Sequence, residues 1–403
     1  MANRSAQLSL KKTHNRANPV GKKKLIVVWP YRFRDFDWQR FELEQLSPHV
    51  EVHVHELIDA LTPEFAAAYA NQSAHPSVKR FSSLKEWRRE FKKVSKDAIV
   101  FSHVRPINIK STLICLAIRK SGAKVIGFST GGVPFSDLRL NPEKRDLPRA
   151  VKIFLHFIRR NLLGVFMPDK ILVGGSEEVA RVRRDNPRSS SCLLANSSDF
   201  SNSLRVRVVN SGEPKVGVYL DTGFPGFPRD EVLEKIVEQV SGADWYPKLD
   251  SFFNFIEQTL ATKIQISVHP KHVGRDHQPM FGVRLTISGK TPELVAESSF
   301  VVATNSTSIS YAVVFAKQLI LVTSDQIQSG RDQYKASLIA NIARETGAKI
   351  FNIDRTYTEQ ELRDALVIDH AKRESYKRKY LTSRTDGKPN YQVLLDEVIN
   401  VAD

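Results

Sequence analysis

Residues Lys263 to Ser324 read KIQISVHPKHVGRDHQPMFGVRLTISGKTPELVAESSFVVATNSTSISYAVVFAKQLILVTS. The stretch opens on a largely apolar strand, Lys263–Val268, which ends at His269-Pro270-Lys271-His272. A second short strand is expected over Phe281–Ser288 and a short helix over Pro292–Ser298, with Thr291 as its cap and Pro at the first position. Phe300–Ala303 is a third strand. It runs into Thr304-Asn305-Ser306-Thr307-Ser308-Ile309-Ser310, an apolar helix Tyr311–Ala316 and a fourth strand Gln318–Thr323. In alternating β/α chains ligands sit beyond the carboxyl ends of parallel strands. The HPK loop and the hydroxyl cluster both fall there, and amides at a helix start with nearby hydroxyls suit an anion. The pattern predicts a site for an anionic, nucleotide-like ligand.

Outward from this stretch, the same alternation fills the chain. Lys24–Trp29, Val50–His55, Ala98–Val104, Lys124–Ser129 and Lys170–Val173 read as strands of a first unit, and Pro214–Leu220 restarts the pattern. Between the two, Asn186–Asn202 is rich in Ser and Asn and reads as a linker. The expected layout is a basic tail over 1–21 and a Rossmann-like acceptor domain over 22–185. A linker follows over 186–213, then a Rossmann-like donor domain over 214–385 and a closing helix over 386–403. The fold class is α/β, with two Rossmann-like domains facing across a cleft.

The chain has 403 residues, is 41% hydrophobic and 26% charged, and carries a net charge of +16. That is enough for two globular cores. The charge points to nucleic acid, an anionic membrane face or anionic substrates. Two cysteines make no disulfide framework or zinc pattern, and the basic N-terminus has no apolar core behind it, so a reducing cytoplasm is expected. Arg149–Met167 sets Lys152, His156, Arg159 and Arg160 among large apolar residues. This is either a basic amphipathic helix for an anionic leaflet or a core helix with a charged edge.

Several side chains are candidates for chemistry. Asp221 ends the strand Pro214–Leu220, ahead of a Gly/Pro loop containing Gly223. It can be nucleophile, general base or orienting group, or a turn aspartate. His269 can donate to a phosphate or a leaving group and Lys271 adds a point charge; the alternative is a solvated strand-end turn. His272 and His277 read as solvated. Asn305, Ser306, Thr307 and Ser308 are the phosphate-cradle candidates, against a plain helix cap. Gly131 and Gly132 permit close backbone approach to a ligand or form an ordinary loop. His53 and His55 share a strand face and read as satisfied core histidines. Asp35-Phe36-Asp37 is the one DxD, placed in the first domain away from the cradle. No Walker loop, GxGxxG, GxSxG or CxxC pair occurs, and no metal or cofactor is expected.

From about Lys215 to Thr323, the order of YLD with its Gly/Pro loop, WYPKLDSFFNFIEQ, ISVHPK and GKTPELVAESSFVVATNSTSISYAVVFAKQLILVT resembles bacterial surface-polysaccharide glycosyltransferases. The likeness is to capsule and O-antigen Kdo transferases and, more distantly, to polysialyltransferases and glycerophosphotransferases with HP and Ser-rich motifs. The resemblance implies a GT-B fold and a CMP-activated sugar donor. It puts His269, Pro270, Lys271 and Asn305 to Ser308 on the donor, with Asp221 near the anomeric carbon. A glycan or lipid-linked glycan is the expected acceptor, and a lipid carrier would explain a basic, membrane-facing first domain, so an enzyme peripheral to the inner membrane is expected. No RNA- or DNA-binding motif occurs and the basic residues are scattered, so no nucleic acid is expected. The rivals are a CDP-glycerol or UDP-sugar transferase, an epimerase of the same fold, a silent assembly partner and a nucleic-acid-binding protein.

Overall fold

The computed structural model describes residues 22–68, 75–106, 108–134, 168–185, 191–207, 216–225, 240–270, 272–273, 276–329 and 333–400. The tail over 1–21, Lys271, the basic segment over 149–167 and parts of the expected linker lie outside them.

Two wholly parallel sheets carry the architecture. The first has β1 (Lys24–Trp29), β2 (Glu51–Glu56), β3 (Val78–Arg80), β4 (Ile99–Ser102), β5 (Lys124–Ser129), β6 (Lys170–Gly174) and β7 (Ser191–Ala195), in the order β3-β2-β1-β4-β5-β6-β7. The second has β8 (Val216–Leu220), β9 (Lys263–Val268), β10 (Thr286–Ser288), β11 (Phe300–Ala303), β12 (Gln318–Thr323) and β13 (Lys349–Asn352), in the order β10-β9-β8-β11-β12-β13. A parallel sheet is covered on both faces, so its strands are apolar throughout rather than alternating. In β1, Leu25, Val27 and Trp29 join one core cluster while Ile26 and Val28 join the cluster on the opposite face. Trp87 and Phe91, one helical turn apart on Leu84–Val94, belong to that second cluster, as their spacing predicts.

The region expected to link the domains is structured. Residues 191–195 are β7, hydrogen-bonded to β6, and Ser198–Ser203 is a short helix. Its hydroxyls are buried and used: Ser201 Oγ donates to the buried Glu42 carboxylate and accepts from the Asn390 amide at 2.7 Å. The chain also returns at its end. Val393, Leu394, Leu395, Val398 and Ile399 pack into the core of the first sheet, not the second. The expected strand over Phe281–Ser288 begins late, because a helix Gln278–Phe281 ends at Gly282 with φ of 61° and only Thr286–Ser288 pairs with β9.

The returning segment crosses the first lobe at Gly175, where φ is +89°. A Cβ there would lie 2.3 Å from the Lys379 carbonyl oxygen and 2.7 Å from two more backbone atoms. Gly175→Ala should therefore cost about 1–3 kcal/mol in backbone strain and about as much again in overpacking. A lowered urea midpoint is the expected result; an unchanged one would mean the segment does not dock there.

Candidate functional site

In the second sheet the chain runs outward from β8 in both directions, so β8 and β11 flank a topological switch point. Ligand crevices form at such points. Three loops open there: Asp221–Phe224 after β8, His269-Pro270 after β9 and Thr304–Ser308 after β11. All three line one cleft of about 840 Å³ between the lobes. The opposite wall comes from the first lobe, with Arg34, Asp35, Phe36 and Arg40 from the helix after β1, and Asp199, Asn202 and Arg205 from the segment after β7.

Asp221 is the knot of the donor-side wall. It is 4% exposed, and three donors converge on its two oxygens. The Gly223 amide reaches Oδ1 at 2.9 Å; the His269 amide at 2.9 Å and His272 Nδ1 at 2.8 Å reach Oδ2. Gly223 has φ of +73°, which lets the turn fold back onto the carboxylate. Burial opposes the Asp221 charge. The hydrogen bond and charge of His272, the charge of His269 and the Gly223 amide outweigh it and hold the carboxyl below its ordinary value. Both oxygens are engaged, the geometry expected of an orienting group or a turn aspartate. His272 is corrected: it is wholly buried rather than solvated. With the carboxylate on Nδ1, the proton belongs on that nitrogen, and Nε2 has no partner among the described residues. His277 Nε2 bonds the His272 carbonyl at 2.9 Å, so it too is engaged.

The hydroxyl turn is open to the cleft. Ser306 Oγ accepts from the Ser308 amide at 3.2 Å, while Ser308, the residue before the helix Ile309–Val314, makes no side-chain cap. Thr307 is exposed. Asn305 Oδ1 accepts from the Thr304 hydroxyl at 3.2 Å, and Asn305 lines the cleft. The helix has only six residues, so hydroxyls and turn amides rather than a long helix dipole supply the donors. Thr291 does not cap its helix; it is the first helical residue, and its hydroxyl pairs with Ser267 at 2.7 Å.

Gly131 and Gly132 do not line the cleft. Gly132 is at the seam between lobes, where its carbonyl accepts from Tyr376 at 2.9 Å and from Ser310 at 3.4 Å. Phe200, Val313, Tyr376 and Leu381 close the seam as a small core cluster.

On the first-lobe wall, the loop after β1 is braced from below. Arg32 bonds Glu56 at 2.6 Å and Asp59 at 2.8 and 3.0 Å, and the Phe33 amide bonds Glu56 at 2.8 Å. Phe36 stands 39% exposed, with the Arg34 and Arg40 guanidiniums 5.9 and 6.0 Å from its ring centre. The DxD is thus not remote from the cradle: Asp35 shares the cleft. Asp37 turns inward onto the Arg34 amide at 3.0 Å, so the two acids do not form a pair. Among the described residues no group of three His, Cys, Asp or Glu could hold a metal ion. His55 accepts from the Trp87 indole at 3.2 Å, as a satisfied strand histidine should, whereas His53 Nε2 lies 3.0 Å from Glu51 without making a hydrogen bond among the described residues.

No protein-family model matches the chain, and no curated protein matches it in sequence. Solved structures do match in shape. The wall teichoic acid polymerase TagF aligns over 93% of this chain and 88% of its own, with a TM-score of 0.55 at 13% identity. The UDP complex of S. aureus MnaA aligns over 94% and 98%, with a TM-score of 0.52 at 11% identity. The chain has a GT-B-like fold. No described helix is long and apolar enough to cross a membrane.

Proposed function

We propose that this protein is a glycosyltransferase of bacterial surface-polysaccharide assembly that uses a CMP-activated acidic sugar, CMP-Kdo or a relative, and passes the sugar to a glycan or lipid-linked glycan. One observation carries the reading. His269, the Gly223 loop and the Asn305–Ser308 turn meet at the switch point of the second sheet, and Arg34 and Arg40 face them across the cleft. Such a donor carries a phosphate and a carboxylate. Uncharged donors, an imidazole and two guanidiniums can meet both without a metal. CMP is the leaving group, and His269 with the hydroxyl turn stabilises its phosphate as the bond to the sugar breaks. Asp221 orients this wall by fixing the His269 backbone. A lipid-linked acceptor fits the net charge of +16 and a place at the cytoplasmic face of the inner membrane.

Thermal shift with CMP, CDP, UDP and a random oligonucleotide tests the ligand class. CMP is expected to stabilise most. A larger response to CDP or UDP would move the donor to CDP-glycerol or a UDP-sugar, and a response to the oligonucleotide alone would remove the transferase reading. Ser306→Ala with Thr307→Ala should weaken CMP binding about tenfold, the loss of one or two charge-assisted hydrogen bonds. Unchanged affinity would take the phosphate off the turn.

A further inference from the structure

Five carboxylates line the cleft among the described residues: Asp35, Glu44, Asp199, Asp221 and Glu293. Asp35, Glu44 and Glu293 are exposed, and Asp221 is spent on three hydrogen bonds. Asp199 differs from all four. It sits in the first turn of the helix Ser198–Ser203, on the lobe opposite the donor loops, and its Oδ2 is buried with no hydrogen-bond partner among the described residues. A buried carboxylate oxygen left unpaired in the wall of a cleft needs an explanation. Its helix packs on Ile309–Val314, which begins where the hydroxyl turn ends, so the unpaired oxygen is held beside the proposed donor site.

We propose that Asp199 is the general base that activates the acceptor, an inference that rests on the cleft being a sugar-nucleotide site. The acceptor's O–H bond breaks and its proton goes to Asp199 Oδ2. The acceptor oxygen forms the new bond to the anomeric carbon. The bond from that carbon to the nucleotide phosphate breaks, and its electron pair leaves on the phosphate. The products are the glycoside and CMP, and the proton passes from Asp199 to water after release.

The surroundings tune the group for this. Burial pushes the Asp199 carboxyl up to about 6, against the pull of Arg40 and of the Tyr311 hydroxyl bonded to it. A base near the working pH is an efficient one. The groups facing it are Arg40 from the helix Asp35–Arg40, Tyr311 from Ile309–Val314, Glu293 behind Tyr311 and Tyr376 at the seam. A purely structural Asp199 would need only the Tyr311 bond, which an amide oxygen could keep.

The test measures CMP release from CMP-Kdo, with water as acceptor, across pH. Asp199→Asn should lower kcat about 100-fold or more while CMP still stabilises the protein. The wild-type rate should fall on the acid side with an apparent pKa of about 6, and that limb should vanish in the variant. Formate added to Asp199→Ala should restore part of the rate. A variant within about threefold of wild type, or one keeping the acid limb, overturns the assignment. If wild type releases no CMP, the carboxyl is titrated directly by carbon NMR, and an ordinary value near about 4 overturns it as well. Failure of wild type to bind CMP, by contrast, sinks the donor reading itself.

Discussion

Asp221→Asn should cost about 3 kcal/mol of stability at neutral pH and loosen donor binding with it. Three donors point at two carboxylate oxygens. An asparagine offers one oxygen and turns an NH₂ toward a donor, so at least one of the Gly223 amide, the His269 amide and His272 is left buried and unpaired. His272 cannot turn to water, because it is fully enclosed. The pH dependence has a definite sign. The folded carboxyl is held below its unfolded value, so its contribution is complete above the unfolded pKa and is lost as pH falls through the folded one. The gap between wild type and variant should be full at neutral pH and close below about pH 4. Urea melts of both proteins over that range check it. A gap that is absent, or that does not narrow in acid, would show that the charge of Asp221 is not what holds the loop.

The same knot explains what the sequence could and could not disclose. Runs such as KLIVVW and KIQISV, each closed by a turn, announce buried parallel strands, and two βα successions announce two lobes. The HP loop and hydroxyl turn were legible because each lies directly after its strand, so local order already places them at the crevice. The partners of Asp221 were not: His272 is 51 positions away and its burial depends on the loop folding over it. The expected linker failed for a related reason. Ser/Asn-rich composition resembles a linker when the side chains are solvated, but Ser197, Ser198 and Ser201 are buried here. Ser201 is met by Glu42 and by Asn390, which lies 189 positions from it, and Ser198 by the Thr130 hydroxyl, 68 positions away. No window of sequence can see such pairs. Asp199 was lost with that stretch, although Ser197-Ser198-Asp199 is itself a helix-start signal: Ser197 accepts from the Phe200 amide at 3.2 Å.

His269→Ala should do the reverse of Asp221→Asn, and the contrast isolates chemistry from architecture. Asp221 holds His269 by its backbone amide, which alanine retains. The imidazole lines the cleft. Removing it should therefore lower the melting temperature far less than Asp221→Asn does. It should also leave the Asp221–His272 pair in place, since that bond is made by a different side chain. On the proposed function, what is lost is a donor to the departing phosphate, where charge builds only as the sugar–phosphate bond breaks. An interaction stronger in the transition state than in the ground state appears in kcat rather than in KM. The expected loss is about 10²–10³-fold in turnover, the usual worth of one such donor, with CMP affinity reduced far less. Because the imidazole also helps hold the Asp221 charge, the variant's acid stability limb should shift slightly upward. Turnover and CMP binding falling by the same factor would make His269 a plain ground-state contact, and unchanged turnover would place the leaving-group stabilisation on the hydroxyl turn alone.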